Sequence, residues 1–151
     1  MEAIRADLAA LGLKAGRIVS SDLTRAVETA QILADGLGGQ VSLDVRLREQ
    51  SLGVLEGRSY EQSWAVAAGT DWSDPTLPVG GGESLMQVYD RMRAAIDEVT
   101  RDCVAVLVSH GDAIRAAVAY LTGVRPADTP WLAVPNGAVA RIHRDLAWLG
   151  Q

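Results

Sequence analysis

The stretch from Val106 to Arg115, Val-Leu-Val-Ser-His-Gly-Asp-Ala-Ile-Arg, narrows the possible folds more than any other part of the chain. Its apolar, β-branched start reads as a buried strand from Cys103 to Ser109, of the kind found in sheets covered on both faces. Gly111 then permits a tight turn, and residues 111–122 carry a helical pattern that stops at Gly123. A strand feeding directly into a helix is the repeating unit of α/β folds with parallel sheets. The junction also carries chemistry. The first N–H groups of the helix and the positive end of its dipole lie beside His110, so free donors are expected to form an anion pocket there.

The same pattern occurs earlier. Arg17 to Ser20 is a short apolar strand, followed by small polar residues and a helix from about Leu23 to Leu37 with Val27, Ala30, Leu33 and Leu37 inward. Arg25 falls in the first turn of that helix, where its guanidinium can reach back over the strand end. Its planar fork of donors matches phosphate oxygens. Gly38-Gly39 ends the helix, and Val41 to Leu43 begin another strand. Ile4, Leu8 and Leu11 mark a face of a helix that stops at Gly12. Ser59-x-x-Gln62 and Ser84-x-x-Gln87 read as capping boxes, the second opening a long helix with Leu85, Val88, Met92, Ile96 and Val99 on one stripe. Residues 69–82, with Pro75, Pro78 and a glycine triplet, form a loop, and Ala138 to His143 make a further strand. Residues 1–151 read as a single domain.

Composition excludes several function classes. The net charge of −5 disfavours nucleic acid, whose binding needs concentrated positive charge. Cys103 is the lone cysteine, so no internal disulfide or cysteine-based metal site is available, and its strand position suits a buried structural thiol. Two distant histidines give no metal-ligand spacing. No apolar run reaches spanning length and the first 20 residues carry charges throughout, so no membrane partner is expected and the cytoplasm is the default location. The glycine triplet is not followed by Lys-Ser or Lys-Thr, which argues against a nucleotide-binding phosphate loop.

Four motifs occur in order: Ser-x-Leu-x-Arg-Ala-x-x-Thr at residues 21–29, Leu-x-Glu-x-x-x-Gly-x-x-Glu-Gly at 47–57, Gly-Gly-Glu-Ser at 81–84, and Val-Ser-His-Gly at 108–111. Together they resemble the histidine phosphatase superfamily, also called phosphoglycerate mutase-like. The resemblance implies a three-layer α/β/α sandwich around a mostly parallel sheet. It also implies hydrolysis of a small phosphate monoester through a phosphohistidine, with no cofactor. Arg25 and His110 would bind the phosphoryl oxygens, and Glu49 would protonate the leaving oxygen. Glu83 and Asn136 would lie in a supporting position near the pocket. The short spacing from Glu49 to Glu83 resembles the phosphatases more than the mutases, which carry longer insertions there.

Each of these residues also has a plainer reading. Arg25 alone would be a solvated charge, His110 a satisfied core histidine, and Glu49 an exposed loop residue. Glu56 would fix the loop around Gly53 and Gly57. Glu83 would favour a helix N-terminus, Asn136 would serve a Pro-Asn-Gly turn, and His143 would be structural. Trp64 and Trp72 would either shape a substrate mouth or pack in the core.

One departure from the family pattern stands out. Members begin with a strand ending in Arg-His-Gly whose histidine is the nucleophile, and neither His110 nor His143 lies in such a sequence. The chain as given is therefore expected to be N-terminally truncated, to lack the first, central strand of the sheet and to be inactive. The strands at 103–109 and 138–143 should either leave a gap between them or close onto each other, with homo-oligomers forming through exposed sheet edges. Three readings remain open: an ordinary phosphatase whose start lies upstream, a non-catalytic phosphate-ester binder, or a remnant held by a partner.

Overall fold

The computed structural model describes residues 17–71, 73–100, 105–130, 132–142 and 146–149. The expected first helix with Ile4, Leu8 and Leu11 lies outside the described residues, as do Cys103, Trp72 and His143.

Strands β1 (Arg17–Ser20), β2 (Val41–Leu43) and β3 (Ala105–Val108) form a parallel sheet in the order β2-β1-β3. Ile18 stands opposite Val41 on one side and Val106 on the other. Alternation along the strands sends successive side chains to opposite faces. Ile18, Val106 and Val108 pack with helix α1 (Thr24–Leu37), through Ala26, Ala30, Leu33 and Ala34. Val19, Ala105 and Leu107 face the other way, onto helices α3 (Leu85–Val99) and α4 (Gly111–Leu121). Helix, sheet and helix pair make the three layers implied by the sequence. Among the described residues, none from helix α2 (Tyr60–Ala67) belongs to either core cluster.

The inner face of α1 differs from expectation by a small rotation. Ala26 and Ala34 are buried while Val27 and Leu37 are half-buried, because small side chains let α1 lie close to the sheet. On α3, Val88, Met92, Ile96 and Val99 are buried as expected, joined by Ala95, and Leu85 is half-buried. Both capping boxes form: the Ser59 and Ser84 hydroxyls accept from the N–H groups of Gln62 and Gln87.

Two strands lie apart from this sheet. β4 (Val139–Ile142) pairs antiparallel with β5 (Leu146–Leu149), which the sequence reading did not anticipate. Among the described residues β3 and β4 do not pair, so these strands have not closed onto each other. Four residues at the end of a chain carry too little alternation to announce a strand. Trp64 is 62% exposed, which removes core packing as its reading.

The glycine triplet serves packing between two loops. A Cβ on Gly80 would stand 2.3 Å from the Leu52 carbonyl oxygen, one on Gly53 2.3 Å from that of Gly80, and one on Gly82 2.1 Å from that of Ser51. The backbones of residues 51–53 and 80–82 therefore touch directly. Glu56 secures the first of these loops, accepting the Ser51 hydroxyl at 2.8 Å and the Leu52 N–H at 3.0 Å.

Candidate active site

All three parallel strands point their carboxyl ends at one edge of the sheet. From β1 the chain continues through α1 to β2 on one side, and later returns as β3 on the other. The crevice where strand order reverses, between the ends of β1 and β3, is where open α/β sheets bind ligands. Ser21 follows β1 there and His110 follows β3, joined by the Ser21 N–H donating to the Val108 carbonyl at 2.9 Å.

His110 is buried, and its imidazole bridges the two sides. Arg25 Nε donates to Nδ1 at 3.2 Å, and Nε2 lies 2.9 Å from the Ser21 hydroxyl. A guanidinium can only donate, so Nδ1 is the unprotonated nitrogen and Nε2–H donates to Ser21. Burial and the adjacent Arg25 charge push the His110 pKa below its ordinary value, with Arg91 adding to the effect and Glu49 opposing it. Ser21 is fully buried and was missed by the sequence reading as a site residue. The available signal was its place directly after a strand, at the head of the motif that carries Arg25.

Glu49 changes the picture of the anion pocket. Its Oε1 accepts the N–H of Asp112 at 3.0 Å and of Ala113 at 3.4 Å, besides that of Gln50 at 3.0 Å. The free donors expected at the start of α4 are thus partly occupied, which corrects the sequence expectation. An internal carboxylate caps the helix, which receives no side-chain cap from His110. Oε2 of Glu49 has no hydrogen bond among the described residues. The neighbouring Asp112 has its pKa raised by burial and by the Glu49 charge, with Arg115 opposing at 2.5 Å.

The Glu49 loop is tied down from several directions. Ser109 donates its hydroxyl to the Leu47 carbonyl at 2.8 Å, and Arg48 grips Asp22 with Nε and Nη2 at 2.6 and 2.5 Å. Glu83 receives Arg91 in a two-pronged pair at 2.8 and 2.9 Å and accepts the Ser51 N–H at 2.9 Å. Burial disfavours the charged form of Glu83, but Arg91 and the Ser51 N–H outweigh it and hold the carboxyl below its ordinary range. A cleft of about 300 Å³ opens here, lined by Val45, Arg48, Glu49, Ser51, Glu83 and Arg91.

Arg25, His110 and Glu49 therefore gather at the carboxyl edge of the sheet, and Glu83 supports the Glu49 loop. Asn136 is in a different situation. It is exposed in a turn closed by the Ala138 N–H and the Pro135 carbonyl at 3.0 Å, with Gly137 at a φ of 77°. No hydrogen bond links it to Arg25, His110 or Glu49 among the described residues. Nor do the described residues hold any cluster of three His, Cys, Asp or Glu suited to a metal ion. No helix among them is long and apolar enough to cross a membrane.

Residues 1–146 match the histidine phosphatase superfamily (branch 1). A protein of Erwinia tasmaniensis named "Probable phosphoglycerate mutase GpmB" is 34% identical over 142 residues, covering 87% of this chain. The chain spans 65% of that relative's length. A mycobacterial glucosyl-3-phosphoglycerate phosphatase of solved structure is 32% identical, with a TM-score of 0.75 over 97% of this chain and 81% of that one. A structure described as mycobacterial hydrolase 2 is 31% identical, with a TM-score of 0.77 over 97% of this chain and 74% of that one. With the four motifs in order and three of their polar side chains, Arg25, Glu49 and His110, converging on one sheet edge, the chain belongs to the histidine phosphatase superfamily, branch 1.

Proposed function

We propose that this chain supplies the phosphate-binding and proton-donating half of a phosphomonoesterase site that acts on a small phosphate ester. The observation that carries this reading is the hydrogen bond between Arg25 and His110 at the end of the central strand. A phosphoryl group seated there would draw the guanidinium and imidazole donors onto its equatorial oxygens, where charge develops during transfer. Glu49 adjoins them, with Oε1 held by α4 and Oε2 available to deliver a proton to the leaving oxygen. Glu83 supports the Glu49 loop, and a supporting place for the exposed Asn136 rests on the family resemblance alone.

Phosphatase rather than mutase activity is favoured by the short segment between Glu49 and Glu83. The bacterial relatives carry a mutase name and the mycobacterial structure a phosphatase name. The 151 residues contain no Arg-His-Gly, so the family's nucleophilic histidine is not among them. We propose that these residues alone turn over no phosphate ester, because deleting a covalent nucleophile costs on the order of 10⁴ to 10⁶ in rate. The second reading, a non-catalytic binder of phosphate esters, rests on that same absence. The proposed setting is the cytoplasm, without nucleic acid, membrane, metal or cofactor.

Calorimetry with inorganic phosphate and vanadate, beside an aryl phosphate assay, tests the proposal. Arg25→Ala should weaken phosphate binding by about 1.5–3 kcal/mol, the scale of a charged hydrogen bond. Equal affinity of the two proteins would remove Arg25 from the site. Turnover by residues 1–151 above roughly 1 s⁻¹ would overturn the inactivity and point to His110 as nucleophile, which His110→Ala would then abolish.

A further inference from the structure

Arg91 occupies the inward stripe of α3, three residues after Val88 and four before Ala95, both fully buried. Its side chain is only 17% exposed. A guanidinium has five N–H donors, and here every one has an acceptor. Nε donates to Glu83 Oε1 at 2.8 Å, and Nη2 donates to Glu83 Oε2 at 2.9 Å and to the Glu49 carbonyl at 3.2 Å. Nη1 donates to the carbonyls of Arg46 and Arg48 at 2.6 and 2.8 Å. No donor remains for a ligand. Glu83 completes the brace, since its carboxylate accepts the Ser51 N–H, its carbonyl accepts Gln50 Nε2 at 2.8 Å, and its N–H donates to the Ser51 carbonyl at 2.8 Å.

We infer that Arg91 is a positioning residue for Glu49, and that Glu83 serves Arg91 instead of contacting substrate. The guanidinium gathers the carbonyls of Arg46, Arg48 and Glu49 and so fixes the backbone from which the Glu49 side chain departs. From that backbone the carboxylate reaches the N–H groups of Asp112 and Ala113. Lysine cannot substitute, because three donors radiating from one nitrogen cannot meet a carboxylate edge and three carbonyls together. The value of this placement for proton delivery rests on the function proposed above. The geometry of the brace does not.

The test is amide hydrogen exchange on the full chain. In Arg91→Lys, exchange at Asp112 and Ala113 should accelerate roughly fivefold or more, as for a helix that loses its cap, while Val118 in the same helix is unchanged. Glu49→Ala should produce the same local acceleration, and the double variant should add nothing further. Wild-type exchange at both amides in Arg91→Lys would overturn the assignment. Uniform acceleration along α4 would also overturn it, since that reports a general loss of stability. Should Arg91→Lys fail to fold, Glu83→Gln keeps the three carbonyl bonds while weakening the fork. It should accelerate the same two amides by a smaller factor, and no change there would overturn the proposal. Phosphate titration followed at the His110 imidazole reports separately on the phosphate pocket, so a failure there strikes the phosphatase reading and leaves the Arg91 assignment intact.

Discussion

Arg25 and His110 stand 85 residues apart in the chain and meet through a hydrogen bond in which the proton belongs to the arginine. The contact requires a neutral imidazole, and burial beside that cation lowers the His110 pKa in agreement. A phosphate dianion seated on the pair would reverse this preference. It would take the guanidinium donors and favour the imidazolium.

Phosphate binding is therefore expected to take up a proton near neutral pH. Calorimetry in buffers of different ionisation enthalpy would show it as a buffer-dependent binding heat. A heat independent of buffer would mean that the imidazole stays neutral and that His110 contributes only a single donor.

The same depressed pKa makes stability depend on pH. Below the ordinary value of 6.5 the unfolded chain binds a proton at this histidine that the folded chain resists, so stability rises with pH. The contribution is complete above pH 6.5 and is lost as pH falls through the lower folded value. Glu83 adds a second step of the same sign, complete above 4.5 and lost as pH falls through its depressed folded value. Urea unfolding across this range should show both steps, with the upper one missing in His110→Gln.

Glycine substitutions separate backbone strain from loop contact. Gly81 has a φ of 75° and open space around its missing Cβ, so Gly81→Ala should cost about 1–2 kcal/mol for the left-handed conformation alone. Gly80 has a φ of 58° and an added Cβ would run into the Leu52 carbonyl oxygen, so Gly80→Ala should cost clearly more and loosen the loop before Glu83. Comparable unfolding midpoints for the two variants would show that the loops separate freely.

Among the described residues, β3 has a strand partner only in β1, and β4 only in β5. Open strand edges template pairing with other chains. On the proposal that these edges are open, the chain is expected to associate in a concentration-dependent way in sedimentation. A peptide with the family's Arg-His-Gly strand should suppress this and raise the melting temperature, since it binds only the folded form. A sharply melting monomer indifferent to the peptide would show that these edges are closed.

What the residues determined locally was readable without coordinates. The strand-to-helix junctions at 17–25 and 105–115, the capping serines 59 and 84, and the stripe on α3 each rest on periodicity or capping within a few residues. Arg25, His110 and Glu49 were found because their motifs carry family resemblance as well as local pattern. Arg91 sat in plain view as a lone charge on an apolar stripe, but its three carbonyl acceptors lie 42 to 45 residues earlier in the chain, beyond any local signal. The capping of α4 by Glu49 spans 63 residues, and the glycine triplet acquires its purpose only where the 51–53 backbone presses against it. A sequence records which groups can donate, accept or turn, because those are properties of single residues and their neighbours. Which donor meets which acceptor depends on the distances between elements, and those are set only when helices and sheet pack together.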